Sequence, residues 1–341
     1  MSRVLDLLAA YRTRALARDA ITARDLTRRW LRIEDALKGE IEALAHEVAA
    51  LVAAGAKPTA GQLWQLERMR SLLAQTQTQQ KAFGQYAAGL ISREQYVAAA
   101  EGIAYGADSI GAVMASAGIE ASFTALPVEA VQAMIGFTAE GTPLAQLLTA
   151  SYPETVTQIT DALVRSITMG TNPRQTARAI REAMAGNLQR ALVVARTEEL
   201  RALRVANVRQ YQASGVVSGY RRHAARQGRT CLACLLLDNS YYSVMEQFSD
   251  HPNGRCFCLP ELSGIESPIT QTGTEWFLAQ NAEAQRVIMG DGHYQAWQRG
   301  EFRLEDAARM HEDAVWGEAP QVVPLRELVG QQGQGLAMAA G

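Results

Sequence analysis

All four cysteines of this 341-residue chain fall between positions 231 and 258, and one of its five histidines sits among them. The run is Cys231-Leu-Ala-Cys234, then His251, then Cys256-Phe-Cys258. A C-x-x-C pair aims two thiolates at one ion from a tight turn. A His or Cys returning about 16 to 25 residues later closes a tetrahedral zinc site. Cys231, Cys234, His251 and one of Cys256 or Cys258 make the natural ligand set. The last two flank Phe257, so in an extended strand both point to one face. One of them binds, and the other is a buried core cysteine or a replacement ligand. A disulfide or redox pair and ordinary buried thiols are the other readings open at this level, and the spacing favours zinc. His46, His223, His293 and His311 stand alone and read as surface or core residues.

Other chemistry has less to rest on. No Gly-rich phosphate loop, G-x-S-x-G elbow or H-E-x-x-H is present. Asp250-His251-Pro252-Asn253 invites comparison with a zinc-stapled nuclease of the His-Asn-His type, in which His acts as general base. The second metal-binding His would then be His293 or His311, both outside the cysteine window. A His251 bound to zinc cannot also be the base, so the roles of such a site are unfilled. The chain therefore reads as a non-enzyme. A nuclease, or a toxin-like effector using the same module, is the alternative.

The formal net charge of −2 conceals an asymmetry. Residues 171–230 hold twelve Arg against Glu182, Glu198 and Glu199, whereas residues 231–341 hold six Arg against fifteen Asp or Glu. A basic segment beside an acidic one points to two different partners or to mutual attraction. Lys38, Lys57 and Lys81 are the only lysines, and Arg is the better phosphate fork. Arg221, Arg222, Arg226 and Arg229 crowd the approach to Cys231, which predicts non-specific contact with double-stranded DNA or else a solvated surface run. No aromatic interleaving suggests single-strand stacking.

These residues need elements to hold them. The fold expected is mainly α: a helical N-terminal region over 1–149, a central domain over 150–265, and an acidic helical C-terminal region over 266–341 ending in a flexible tail from Gly330. The central domain has a helical stalk and a small zinc-stabilised α+β unit at 216–262. Ile33, Leu37, Ile41, Leu44, Val48 and Leu51 lie on one face of a helix spanning about 1–55, broken at Gly55 and Pro58. Leu63 to Tyr86 forms a second stripe able to pack against the first, and Ser92 begins a further helix running to about Ala117. Pro127, Pro143 and Asn172-Pro173 open later helices. A longer helix runs from about Leu188 to Tyr211, followed by a strand signal at 216–223; residues 241–248 offer a second strand or an irregular loop, and 257–262 a third strand. No run of 18 apolar residues and no long apolar leader is present, so neither a membrane span nor a signal peptide is expected. Cysteines confined to one cluster suit a reducing cytoplasm.

Taken in order, Ala195-Arg196-Thr197-Glu198, the helix to Asn207, Gly215, Arg229-Thr230-Cys231-x-x-Cys234, His251-Pro252-Asn253-Gly254-Arg255-Cys256 and Pro260 resemble the bacteriophage head morphogenesis family, the Mu F-like minor head proteins. The likeness covers roughly 150–262. It departs at Gly254, where many members carry Cys. Residues 273–300 look like the tail that follows this domain. The resemblance implies a structural minor head protein of a tailed phage, found in the virion at the head interior or portal vertex and in the host cytoplasm during assembly. Its implied partners are the portal protein, the major capsid or scaffolding protein, and packaged DNA, with no membrane. For Arg196, Thr197 and Glu198, helix spacing favours internal ion pairs (Arg196 with Glu199, Glu198 with Arg201) that dock this helix on the zinc unit.

Overall fold

The computed structural model of the protein describes residues 3–267 and 269–329. The tail expected from Gly330 onward lies outside the described residues. In chain order the helices are α1 (Arg3–Ala53), α2 (Ala60–Leu63), α3 (Glu67–Ser116), α4 (Leu144–Thr149), α5 (Tyr152–Met169), α6 (Pro173–Met184) and α7 (Gly186–Ser214). Then come β1 (Val217–His223), α8 (Leu232–Leu236), β2 (Tyr241–Ser243) and β3 (Phe257–Leu262). The chain continues through α9 (Gly273–Leu278), α10 (Ala282–Met289), α11 (Asp291–Gln298), β4 (Ala308–Asp313) and β5 (Gly317–Val322). None of the described helices is long and apolar enough to cross a membrane.

Two compact units divide these elements, each discontinuous in sequence. One takes in residues up to Leu16, Gln95–Ile135 and Thr197 onward; the other takes in Ala17–Glu94 and Gly136–Arg196. In the second unit Trp30 meets Phe83 edge-on with ring centroids 5.1 Å apart, and Arg68 lies 3.5 Å from Glu47. These pairings run in opposite sense along the chain, so this part of α1 and α3 packs as the antiparallel pair that the apolar stripes predict. Ile33, Leu37, Ile41, Leu44 and Val48 are all buried there. Further along the chain, Asn172 and Gln175 close a reciprocal cap on α6, which begins with Pro173 as expected.

Two expectations need correction. Ser92 does not start a helix: α3 runs unbroken through it, and its hydroxyl donates to the Ala88 carbonyl at 2.8 Å inside the turn. No proline lies between Tyr86 and Ser92, so nothing stops the helix there. The C-terminal region is not wholly helical either. β4 and β5 form an antiparallel hairpin whose turn is closed by Asp313, accepting from the N–H groups of Val315 and Trp316 at 2.8 and 2.9 Å, with Gly317 at φ 69°.

The first unit holds the site. β1 is the central strand of an antiparallel sheet in the order β2-β1-β3, with Arg222 opposite Cys258 and His223 opposite Phe257. The far half of α7 packs on α3 through Gly102, where any Cβ would overlap the Leu203 carbonyl. Tyr105 of α3 and Tyr211 of α7 both donate to the Cys258 carbonyl, at 2.9 and 3.3 Å, so helices and sheet share one polar anchor inside an apolar core.

Candidate metal centre

The C-x-x-C pair opens α8. Cys231 is its N-cap, and its sulfur accepts from the Cys234 N–H at 3.3 Å. That capping geometry turns both thiols toward the same side. The partner loop is a tight turn, His251-Pro252-Asn253-Gly254, closed by Gly254 N–H to the His251 carbonyl at 2.8 Å. Pro supplies the fixed φ of the second position and Asn253 the positive φ (62°) of the third, as a type II turn requires.

The turn delivers His251 to the cysteines. Its Nε2 lies 3.4 Å from the Cys231 sulfur and 3.2 Å from that of Cys234, while Nδ1 donates to the Pro252 carbonyl at 2.8 Å. The Pro252 contact holds the tautomer that leaves Nε2 facing the sulfurs, as metal-bound histidines require. For zinc held at about 2.3 Å by sulfur and about 2.0 Å by nitrogen, tetrahedral geometry puts the two ligands about 3.5 Å apart. The observed separations match. Burial pulls the His251 pKa down, but the Cys234 hydrogen bond and the nearby Asp250 charge push it up to about 9.

Two overlapping groups of side chains could hold a metal ion: Cys231, Cys234 and His251, and Cys234, Asp250 and Cys256, with the ligand atoms in each within 4.8 Å of one another. Cys234 belongs to both. All four cysteines are free thiols. Cys258 joins neither group. The expectation that Cys256 and Cys258 share a face rested on one continuous strand, but β3 begins at Phe257, so Cys256 precedes the regular alternation. Cys258 is sealed in the core between sheet and helices, and burial pushes its thiol far above the usual range.

Around this centre lies a buried charge cluster. Asp250 accepts from Arg222 at 2.6 Å and pairs closely with Arg204. Arg222 also donates to the Ser249 carbonyl at 2.7 Å and lies 3.7 Å from the Cys234 sulfur. Burial works against the Asp250 charge, yet the two guanidinium groups hold its carboxyl below the ordinary range. Gly254 is required here, because a Cβ would overlap the Asp250 carboxylate. That accounts for glycine where the resemblance leads one to look for Cys.

The arginines expected to face DNA are mostly turned inward. Arg222 is 1% exposed and bound to Asp250. Arg221 grips Glu261 through two bonds, at 2.8 and 3.2 Å, and Arg226 pairs with Asp238 at 2.7 Å. Arg229 is the exposed one of the four, on the rim of a pocket of about 270 Å³ shared with Thr230, Asn253 and Arg255 that opens on the cysteine cluster.

The Arg-Thr-Glu run divides its work. Arg196 pairs with Asp19 at 2.7 Å. Thr197 accepts from the Asn253 N–H at 3.1 Å. Glu198, fully buried, takes Arg201 at 2.7 Å, the pairing that helix spacing predicts, and Gln95 at 3.1 Å. Arg204 escaped the sequence reading. Its signal is a charged residue beside the apolar positions Leu200, Leu203, Val208 and Tyr211 of one helix, a place where burial demands a partner. In the sequence Asp250 reads only as half of a nuclease pair with His251. His251 Nε2 faces the two sulfurs, and a metal bound there would take the lone pair that a general base needs.

Residues 157–262 match the family model described as Phage Mu protein F like protein. That span contains every cysteine, His251, Asp250, Arg204 and Arg222, and it coincides with the segment whose motifs resemble the Mu F-like proteins. No curated protein and no solved structure matches the chain significantly.

Proposed function

We propose that this chain is a structural minor head protein of a tailed bacteriophage, acting in head morphogenesis at the portal vertex, with a structural zinc ion held by Cys231, Cys234, His251 and Cys256. The observation that carries the reading is the family match over 157–262. The convergence of that segment's separate motifs on one centre supports it: Thr197 from α7, the C-x-x-C of α8 and the His251–Asn253 turn. Zinc fits the donor chemistry, being two sulfurs and an imidazole nitrogen at tetrahedral separations with a third sulfur adjacent. Four protein ligands make the ion a staple for a sheet of three short strands. The partner is the portal protein. With Arg221, Arg222 and Arg226 in internal pairs, contact with packaged DNA falls to Arg229 and is secondary.

The test is localisation. Particles of the phage that encodes this chain, imaged by cryo-EM with and without a fusion tag on it, are expected to show added density at the portal vertex. Tag density spread over the capsid lattice, or a chain missing from purified particles, sinks the reading.

A further inference from the structure

Arg204, Asp250 and Arg222 are all but sealed from solvent, with side chains 4%, 4% and 1% exposed. Guanidinium groups stay ionised at any ordinary pH. Asp250, which takes one guanidinium on each oxygen, is a carboxylate. The cluster therefore carries two positive charges and one negative. An uncompensated charge in such surroundings is strongly unfavourable, so a negative group beside it is called for. Nearby ion pairs do not supply it: Arg226 and Asp238 neutralise each other at 2.7 Å. Arg12 adds to the imbalance on the Cys256 side, with its guanidinium donating to the His223 carbonyl at 3.2 Å and lying 5.2 Å from the Phe257 ring centroid.

Glu198 also acts on Arg204 but is itself paired with Arg201 at 2.7 Å. Beside Arg222 stand the thiols, and one of its nitrogens already points at the Cys234 sulfur. A divalent ion with two thiolates and a neutral imidazole is uncharged and leaves the excess in place. With three thiolates it carries one negative charge and offsets the excess of the Arg204–Asp250–Arg222 cluster. Cys258 stands outside both ligand groups.

We propose that Arg204, Asp250 and Arg222 are the counter-charge shell of an anionic metal centre of three thiolates and one imidazole, with Cys256 as the third thiolate and Arg222 as the positioning residue that stabilises its charge. The proposal rests on the metal reading given above. Asp250 links the shell to the turn through the His251 N–H, which donates to it at 3.1 Å, and to α7 through Arg204, so metal affinity and the docking of that helix are coupled.

The full chain, stripped by chelator under reducing conditions and titrated with cobalt(II), tests this, because thiolate-to-cobalt charge-transfer intensity scales with the number of bound thiolates. Cys256→Ser is expected to lower that intensity by about a third, and Cys258→Ser to leave it unchanged. Arg222→Gln, which keeps a donor and removes the charge, is expected to weaken cobalt affinity about 10- to 100-fold. Arg222→Lys, which keeps the charge, is expected to recover most of that loss. A wild-type spectrum showing two thiolates, an unchanged spectrum in Cys256→Ser, wild-type affinity in Arg222→Gln, or a loss in Arg222→Lys equal to that in Arg222→Gln overturns the proposal while leaving metal binding intact. A wild-type chain that takes up neither cobalt nor zinc overturns the metal reading itself. Should the Arg222 variants fail to fold, the Cys256→Ser and Cys258→Ser comparison still decides.

Discussion

Thr197, the middle residue of the Arg-Thr-Glu run, accepts a hydrogen bond from the backbone N–H of Asn253 at 3.1 Å, across 56 residues of chain. Two motifs that look unrelated in the sequence are thus halves of one contact. The helix holds the turn whose first residue, His251, faces the cysteines. Glu198 beside it is buried for another purpose, holding Arg201 and Gln95.

Replacing Thr197 by Val keeps the shape and removes the acceptor. The Asn253 N–H then loses this acceptor, at a cost of about 1–3 kcal/mol. Hydrogen exchange is expected to show faster opening of the Asn253 amide, with α7 otherwise protected. An unchanged Asn253 exchange rate would show that the contact does not hold the turn.

Gly254→Cys would place the thiol that the resemblance suggests, but its Cβ would overlap the carboxylate of Asp250. Displacing that carboxylate breaks its pairs with Arg204 and Arg222, and losing a partner from a buried pair costs about 3–5 kcal/mol. The melting temperature is expected to drop by many degrees. A Gly254→Cys protein as stable as wild type would mean that the loop re-forms without the Asp250 bridge.

Removing the metal is expected to loosen the segment from Cys231 to Leu262 first, since binding free energy at a structural zinc site is also folding free energy. Metal analysis of the purified chain should give about one zinc per chain, and chelation should lower the melting temperature. Cys234→Ser, which strikes the sulfur common to both ligand groups, should abolish zinc binding, whereas Cys258→Ser should retain it. Equal zinc loss in both variants would return Cys258 to the ligand set.

His223 offers a pH test away from the cysteines. Burial, with Arg12 and Arg226 nearby, lowers its pKa to about 3 in the folded chain, against about 6.5 unfolded. Its Nδ1 is 3.6 Å from Asp238, too far to bond, and the Asp238 oxygens are taken by the Ala224 N–H and by Arg226, each at 2.7 Å. The folded state therefore keeps this imidazole neutral while the unfolded state protonates it. Its stabilising contribution is full above about pH 6.5 and is lost as pH falls from there toward 3, by at most about 1.4 kcal/mol per pH unit. In denaturant titrations between pH 7 and 5, His223→Gln should show a shallower loss of stability than wild type. Parallel curves would mean that His223 titrates alike in both states.

Local periodicity and cap chemistry by themselves determined most of the helices, the strands at 217–223 and 257–262 and the identity of the cysteine–histidine cluster, whereas 241–248 read equally as strand or loop and is a strand only over Tyr241–Ser243. The apolar stripe of α1, the Asn172-Pro173 start of α6 and the Pro-Asn turn after His251 are written in neighbouring residues, and the chain reads them locally. Tertiary structure decided what depends on long-range pairing. It took Arg221, Arg222 and Arg226 from an apparent basic surface and gave each a carboxylate 12 to 40 residues away. It separated Cys256 from Cys258 by starting β3 between them, and it set Arg204 beside Asp250. A charge count along the chain cannot show which guanidinium groups are buried. Burial in turn decides whether an arginine meets solvent or must find a carboxylate inside the fold.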